Sequence, residues 1–386
     1  MRSLMKKTKT NRKKIVLIGP VYPYKGGISH YTGLLYRALE KEHDVTMLSY
    51  KMQYPKFLFH REQKDYANDG FKVERTDYGI HTANPFNWIK EAARINSLRP
   101  DLVILQWWHP YFAPCYFTMA LLIRAKIMFT CHNVFPHERF PMDRFLTRMV
   151  LRRGDTFILH SRTEADELLS IRKNAAYRIH MHPTYHAFRF EDMGKEEARR
   201  KLEIEPREKI LLFFGYVRPY KGLHSLLDAM RILREKQFDA KLLVVGDFDG
   251  NREEYLTQIK ENKIDSMVEI HDGYIPDREI EKFFAACDVA VLPYESATQS
   301  GIAQIAYGFE KPVIATNVGG LPEAVKDKET GYIVEPGSPE ALAEAVEKFF
   351  CRPECDRFQK GIKEAASRFS WEGMAETIDE LQGWEE

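Results

Sequence analysis

Short runs of apolar residues alternate with longer amphipathic stretches along the whole chain. The short runs are rich in Val, Ile, Leu and Phe, as expected for strands buried on both faces of a parallel sheet. The stretches between them repeat apolar residues every three or four positions, which predicts helices that cover the sheets. The predicted strands are residues 15–19, 44–48, 102–105, 127–130, 156–160, 210–214, 241–245, 268–271, 289–292, 313–315 and 332–334. The clearest predicted helices are residues 30–40, 223–235, 277–287 and 339–350.

This alternation predicts an α/β protein of two doubly wound, Rossmann-like domains. The chain of 386 residues is long enough for two such cores. We expect a first domain at 13–190, a second at 191–368, and a final amphipathic helix at 369–386 that crosses back to the first. Ligands of doubly wound sheets bind beyond the carboxyl ends of the strands, so we expect both domains to face a central cleft.

Charge is divided unequally between the two halves. Residues 1–190 carry 31 Lys and Arg against 16 Asp and Glu, a net charge of +15, and the remainder has a net charge of −14. A basic first half could meet an anionic membrane surface or an anionic acceptor. Attraction between the two domains across a cleft is an equally good interpretation.

Three features predict a cytoplasmic protein, peripheral at most on the inner face of the cell membrane. The five cysteines are widely spread and form no disulfide framework. The basic start leads directly into the first strand rather than into a signal sequence. The longest apolar run, residues 111–123, is too short to cross a bilayer and is expected to be a core helix.

Candidate chemistry in the second half begins at FFGYVRPYKG, residues 213–222. Arg218 and Lys221 follow a buried strand, at the edge of the sheet where ligands bind. Further along, Ser300 and Gly301 open a helix whose first amides are free to bind an anion. Two cations and a helix N-terminus predict a site for a phosphorylated ligand. The alternatives are a solvated surface pair and an ordinary N-cap serine.

In the first half, Gly26 and Gly27 precede a helix and would let backbone approach a ligand closely. A simple tight turn is the alternative. The Gly-x-Gly-x-x-Gly fingerprint and its ribose-binding acid are missing, which disfavours a dehydrogenase.

Two more polar segments end strands of the first half. CHNVFPHERF, residues 131–140, contains His132, Asn133 and Glu138, and Trp108 and His109 end the preceding strand. These groups could bind a sugar hydroxyl, orient an acceptor or stack on a sugar, although satisfied loop histidines and core aromatics are the alternatives. The histidine spacing is not that of a zinc site, so we expect no metal.

These motifs resemble glycosyltransferase family 4, whose members are retaining enzymes of the GT-B fold. The second half resembles the family's donor-binding domain, and the first half resembles its acceptor domain more loosely. The matching segments are RPYKG, GYIPDREIEKFFAACDVAVLPY, ATQSGIAQIAYGFEKPVIATNVGGLPE, TGYIVEPGSPEALAEAV, GPVYPYKGGISHYTGLLYRAL, FTCHN and LHSRTEADELL.

The resemblance implies a hexosyltransferase-type enzyme that moves a sugar from a nucleotide-sugar, most simply a UDP-sugar, to a hydroxyl with retention at the anomeric carbon. It implies that Arg218 and Lys221 hold the diphosphate without a metal, that Gly26 and Gly27 lie near the phosphates, and that His132 lies near the donor sugar. The implied donor-binding residues of the second half are Tyr274 and Ile275 at the base, with Thr298, Ser300, Gly301, Ile302 and Gln304 around the Ser-Gly turn. Trp108, His109, Asn133 and Glu138 are then on the acceptor side. We expect a lipid-linked or cell-envelope glycan as acceptor, no cofactor and no nucleic acid.

Two departures from the family pattern are visible. The family usually has two Glu separated by seven residues around the Ser-Gly turn, and here Thr298 and Gln304 or Ile305 stand in their places. Glu295 is a shifted candidate for the first. The usual Arg is replaced by Tyr216, two residues before Arg218. A sugar-nucleotide epimerase and a non-catalytic sugar-nucleotide binding protein on the same fold therefore stay alternatives.

Overall fold

The computed structural model describes residues 12–59, 62–67, 69–136, 141–248, 250–351 and 355–384. The chain forms two compact units. The first runs to His180 and takes in the chain again from Trp371, and the second is Met181–Ser370. The borders predicted at 190 and 368 both lie within the second unit.

The first unit is built on a parallel sheet of seven strands. Its strands, in chain order, are β1 (Lys14–Ile18), β2 (Asp44–Met52), β3 (Thr76–His81), β4 (Leu102–Trp107), β5 (Lys126–Cys131), β6 (Thr156–Leu159) and β7 (Ala176–Ile179). Their order across the sheet is β3-β2-β1-β4-β5-β6-β7. The order reverses between β1 and β4, so the loops that leave these two strands diverge at a switch point.

Helices cover both faces of this sheet. They are α1 (Gly27–Leu39), α2 (Pro85–Leu98), α3 (Ala113–Leu122), α4 (Asp143–Leu151), α5 (Arg162–Ile171) and, from the end of the chain, α14 (Trp371–Gln382). One face packs under α2 to α5 and the other under α1 and α14. Met374 and Ile378 of α14 are buried in the second of these cores, and His43 Nε2 lies 3.0 Å from the Asp379 carboxylate.

The second unit has a parallel sheet of six strands in the order β10-β9-β8-β11-β12-β13. The strands are β8 (Ile210–Phe214), β9 (Lys241–Gly246), β10 (Val268–Asp272), β11 (Val289–Leu292), β12 (Val313–Thr316) and β13 (Gly331–Val334). The helices are α6 (Lys195–Lys201), α7 (Leu223–Glu235), α8 (Arg252–Glu261), α9 (Asp277–Ala286), α10 (Gly301–Gly308), α11 (Leu321–Ala324), α12 (Pro339–Cys351) and α13 (Cys355–Arg368). The switch point of this sheet lies between β8 and β11.

The two parallel sheets confirm the predicted fold class, and every predicted strand overlaps an observed one. The sequence pattern missed β3 and β7, the outermost strands of the first sheet. In β3 only Ile80 is buried, and in β7 no residue is. Edge strands cover little of the core, so they lack the apolar run by which a central strand is recognised.

Capping residues fix the helix starts where the sequence supplies them. The Asn84 side chain accepts a hydrogen bond from the Phe86 amide at the start of α2. Pro85, the first residue of this helix, has no backbone N–H that would need an acceptor. At α5, the Ser161 hydroxyl accepts from the Glu164 amide at 3.2 Å, and the Glu164 carboxylate accepts from the His160 amide at 2.7 Å. Within the described residues, no helix combines the length and apolar character needed to span a bilayer.

Candidate active site

Two loops meet at the switch point of the second sheet. One follows β8 and ends at Gly222, and the other follows β11 and ends at Ser300. The Glu295 amide donates to the Tyr220 carbonyl at 2.7 Å, which ties the loops together. Gly222 has a φ of +66°, and a Cβ there would lie 2.0 Å from the Pro293 carbonyl oxygen, so only glycine allows this contact.

Lys221 is buried where these loops meet. Its Nζ lies 5.6 Å from the centre of the Tyr294 ring. A Cβ added to Gly215 would lie 3.0 Å from the same Nζ. Burial, together with the charge of Arg218, lowers the pKa of Lys221 to about 8. Within the described residues, no Asp or Glu forms an ion pair with Lys221. A buried ammonium without a carboxylate is unfavourable until an anion binds beside it.

Arg218 lies three residues before Lys221, in extended backbone at the start of the 3₁₀ turn Pro219–Lys221. Its side chain is half-buried, and its charge is felt by Lys221. Tyr216, which stands where the family usually has its arginine, is 43% exposed. The structure therefore brings the two predicted cations together at the carboxyl end of β8.

The N-terminus of α10 faces the same loop. A Cβ on Gly215 would lie 3.6 Å from Ile302 Cδ1 in the first turn of α10. Ser300 occupies the N-cap, but its side chain makes no capping hydrogen bond. Open space surrounds Gly301, since a Cβ there would meet nothing within 4 Å. The first amides of α10 thus have room for an anionic group next to Lys221.

The turn at Gly319 explains the shape of the loop that leads to α10. Gly319 has a φ of +50°, and a Cβ there would lie 1.5 Å from the Ala297 carbonyl oxygen. The Gly320 amide donates to the carbonyl of the buried Thr298 at 2.9 Å. Thr298 thus lies between the Gly-Gly turn and the start of α10.

The other residues predicted at the donor lie further away or have other partners. Gln304 is buried on α10, where its carbonyl accepts from the Tyr185 amide at 3.2 Å and its side-chain oxygen lies 3.5 Å from the Thr184 hydroxyl. Tyr274 and Ile275 are half-buried in the loop after β10, two strands from β8, or about 10 Å along the same edge. Their contacts with a ribose or a base stay predictions.

Glu295, the shifted candidate for the family's missing carboxylate, has a partner within the protein. Its Oε1 lies 3.0 Å from His224 Nε2 on the first turn of α7, and both side chains are about half exposed. Nothing in the sequence connects these two residues, because His224 lies on an ordinary amphipathic helix. The pair lies next to the loop that carries Lys221.

In the first unit, His132 is buried just beyond β5, beside the switch point. Its amide donates to the Trp107 carbonyl at 2.8 Å, and its Nε2 lies 2.7 Å from Gln106 Oε1. Tyr31 of α1 stands edge-on to the His132 ring at 4.6 Å. Gln106 is fully buried and was missed by the sequence analysis. Its signal is a single polar residue at the carboxyl end of an otherwise apolar strand.

A second buried histidine adjoins this group. The His160 ring lies 5.5 Å from that of His132, and His160 Nδ1 lies 2.8 Å from the His180 carbonyl. Burial lowers the pKa of His160 to about 4, so the ring is neutral at physiological pH.

Gly26 and Gly27 lie at the same edge of the first sheet, at the start of α1. Gly26 has a φ of +105°, and a Cβ on either residue would meet nothing within 4 Å. The helix begins at Gly27, three residues earlier than predicted. The first backbone amides of α1 therefore follow Gly26 directly in the chain.

Of the predicted acceptor-side residues, Trp108 and His109 follow β4. The half-buried Trp108 donates its Nε1 proton to the Tyr54 hydroxyl at 3.0 Å. His109 Nδ1 accepts from the Tyr111 amide at 3.1 Å, and burial lowers the pKa of His109, so it acts as a neutral cap of the 3₁₀ turn. Asn133 is half-buried next to His132, and Glu138 lies outside the described residues. Across the described residues, no cluster of three His, Cys, Asp or Glu could hold a metal ion.

Family profiles match most of the chain. The profile described as "Glycosyl transferases group 1" matches residues 194–367, and the "Glycosyl transferase 4-like domain" matches residues 26–184. The chain belongs to the group 1 glycosyltransferases. The predicted family and the broad glycosyltransferase class are thus confirmed, while retention at the anomeric carbon and the hexosyl donor stay predictions.

Individual proteins agree with this family. D-inositol 3-phosphate glycosyltransferase of Mycobacteroides abscessus is 27% identical over 235 residues, which is 60% of this chain and 52% of that protein. The chain spans about half the length of the curated relatives it matches.

Solved structures show the fold. Sucrose-phosphate synthase of Thermosynechococcus elongatus has a TM-score of 0.75 at 21% identity over 96% of this chain and 98% of its own. Anabaena HepE in complex with UDP-glucose has a TM-score of 0.76 at 16% identity over 96% of this chain and all of its own. Both structures support the predicted GT-B fold class.

Proposed function

We propose that the protein is a retaining glycosyltransferase that moves a sugar from a UDP-sugar to a hydroxyl of a lipid-linked or cell-envelope glycan. One observation carries this proposal. The buried Lys221, with no carboxylate partner among the described residues, lies beside Arg218 and before the open start of α10. This arrangement fits a diphosphate better than any neutral ligand.

The chemistry follows from these charges. The bond between the anomeric carbon and the diphosphate oxygen breaks as the acceptor oxygen forms its bond to the same carbon, and the acceptor proton passes to the departing diphosphate. Negative charge grows on that diphosphate in the transition state. Lys221, Arg218 and the first amides of α10 are fixed in advance to stabilise it, and they supply the positive charge that a metal ion would otherwise provide.

The UDP-sugar donor is proposed from the ligand of a relative and from the position of Tyr274 and Ile275 at the carboxyl edge of the second sheet. The Anabaena relative binds UDP-glucose, and a diphosphate at Lys221 would put a base about 10 Å along the edge, near Tyr274 and Ile275. For the donor sugar, we propose contacts from His132, which Gln106 holds in position at 2.7 Å.

The acceptor is proposed from the first unit rather than from the relatives, since one of them is named for a phosphorylated inositol and another for a sugar phosphate. Trp108 is a half-buried aromatic residue at the end of β4, and residues 1–190 carry a net charge of +15. Both suit a lipid-linked glycan presented at an anionic membrane. We accordingly propose a peripheral location on the cytoplasmic face.

A donor screen followed by product analysis tests this function. UDP, GDP, dTDP and their common sugars are compared by thermal shift with the wild-type protein and the Arg218→Ala variant. We expect stabilisation by UDP compounds only, and its loss in the variant. Turnover that continues in excess EDTA, with an anomeric configuration in the product equal to that of the donor, supports the metal-independent retaining reaction. Donor isomerisation without an acceptor would favour an epimerase, and binding without turnover would favour a non-catalytic protein.

A further inference from the structure

Large apolar side chains are exposed on two neighbouring segments of the first unit, the loop after β2 and the helix α2. Phe57, Leu58 and Phe59, in the loop after β2, are 74%, 54% and 40% exposed. On α2, Phe86 and Ile89 are 85% and 52% exposed. We call these five residues the apolar corner. Contiguous exposed apolar surface is costly in water and marks a contact with a partner or a membrane.

The two parts of the apolar corner belong to neighbouring elements. β2 and β3 are adjacent at the outer end of the first sheet, and both leave it at the carboxyl edge. Thr82, just after β3, donates its amide to the Met52 carbonyl at 3.2 Å and its hydroxyl to the Gln53 carbonyl at 2.7 Å. The loop after β2 is therefore held against the segment that leads into α2.

The apolar corner is continuous with the proposed acceptor side. The ring of Tyr54 stacks on that of Phe59, with centres 5.6 Å apart and planes 21° apart. The Tyr54 hydroxyl accepts the hydrogen bond from Trp108. An unbroken row of aromatic rings thus leads from the exposed loop to the end of β4, at the switch point of the sheet.

Two lysines lie beside the loop part of the apolar corner. Lys51 and Lys56 are exposed on either side of Tyr54, and the sequence from 51 to 66 has four Lys or Arg against two Asp or Glu. The acidic helix α14 packs against the opposite face of the sheet. Of the fourteen exposed large apolar side chains in the described part of the chain, all but Tyr216 belong to the first unit.

We propose that the apolar corner inserts into the interface of an anionic lipid bilayer, with Lys51 and Lys56 at the headgroups. Aromatic and aliphatic side chains at the tip of a loop suit the boundary between headgroups and acyl chains, and lysines around them suit anionic lipid. The inference rests on the proposed lipid-linked acceptor, which this docking would deliver to the edge of the sheet that carries Trp108. A second copy of the chain would instead favour a patch without like-charged lysines beside it.

Vesicle binding of the full chain tests the proposal. The wild type is sedimented with phosphatidylcholine vesicles that contain either no anionic lipid or about 30% phosphatidylglycerol. We expect binding to the anionic vesicles that is at least about tenfold stronger, and that falls by about tenfold when salt rises from about 0.1 M to about 1 M. The Phe57→Ser/Leu58→Ser variant should lose about a hundredfold in binding to the same vesicles.

The matched control is Leu121→Ser/Leu122→Ser. These side chains are 49% and 42% exposed, and they lie at the end of α3, towards the amino edge of the sheet. This variant should bind vesicles as the wild type does. Equal binding by the two double variants, or no binding by the wild type, would overturn the proposal. So would sedimentation equilibrium that shows a dimer dissociated by the loop substitutions while vesicle binding stays unchanged.

A UDP thermal shift separates this inference from the proposed function. The loop variant should be stabilised by UDP as much as the wild type is, because its substitutions lie in the other unit from Lys221. A wild type that binds UDP but no vesicles would overturn the docking surface alone. Vesicle binding that the loop variant loses, without any response to UDP, would support the surface and contradict the proposed donor.

Discussion

Lys221→Met removes a buried charge while keeping most of the volume of the side chain. The pKa of Lys221 is about 8 in the folded protein, against an ordinary value of 10.5. The gap of about 2.5 pH units corresponds to about 3 kcal/mol. Because the folded pKa is the lower one, the unfolded chain binds the proton more tightly, and the charged lysine destabilises the unliganded protein below pH 8. That penalty disappears as the pH rises from about 8 to about 10.5.

The expected result is therefore a variant that is more stable than the wild type. At pH 7 the Met variant should gain up to about 3 kcal/mol in the free energy of unfolding, and the gain should shrink steadily towards pH 9.5. Urea unfolding of both proteins across this range measures it. Lys348→Met is the control, since Lys348 is exposed and pairs with Glu344 at 2.8 Å. It should change stability by less than about 1 kcal/mol, without a pH trend.

UDP binding should favour the charged form of Lys221, whereas the unliganded fold favours the neutral form. A diphosphate beside Lys221 raises its pKa, so the wild type takes up a proton on binding UDP when the pH is above about 8. The affinity should be constant from about pH 7 to about pH 8, where the terminal phosphate of UDP stays ionised, and fall by up to about tenfold per pH unit above that range. The Met variant should bind UDP weakly and without this dependence. A Met variant that is less stable than the wild type at pH 7, or that binds UDP equally well, would refute the assignment of Lys221.

Three further predictions concern the surroundings of the site. Gly319→Ala should destabilise the protein by more than about 2 kcal/mol in urea unfolding, because its Cβ would overlap a carbonyl oxygen. The matched variant Gly301→Ala adds a Cβ that meets no atom within 4 Å. It should change the free energy of unfolding by less than about 1 kcal/mol and instead weaken UDP binding in calorimetry. Gln106→Leu should lower kcat/KM by about tenfold and shift the ¹⁵N resonances of the His132 ring, and unchanged resonances would exclude a positioning role. His160 has a folded pKa of about 4, below its ordinary 6.5. The free energy of unfolding should therefore fall by up to about 3 kcal/mol as the pH falls from 6.5 to 4. A His160→Gln variant whose free energy of unfolding falls as much over this range would contradict this.

The sequence was most informative where a residue type is needed for both fold and chemistry. The central strands are apolar because both faces of a parallel sheet are covered, and Arg218 and Lys221 stood out because they break such a pattern at its carboxyl end. The edge strands β3 and β7 carried no comparable signal, since they bury few residues.

Partners that are distant in sequence could not be predicted. His224 and Glu295 are separated by several elements, and so are Gln106 and His132, and only the strand order brings each pair together. Gln304 was predicted because it stands in the place of the family's second Glu, and this alignment gives no information about the Thr184 hydroxyl near its side chain. The exposed rings of the apolar corner were hidden for a similar reason, because an apolar residue in a loop does not reveal whether it is covered.

A crystal structure of the protein with UDP tests the central claim most directly. We predict that the diphosphate lies within hydrogen-bond distance of Lys221 Nζ, the Arg218 guanidinium and the first amides of α10, with the uracil towards Tyr274. A diphosphate bound elsewhere, with Lys221 still buried and unaccompanied by an anion, would contradict the account.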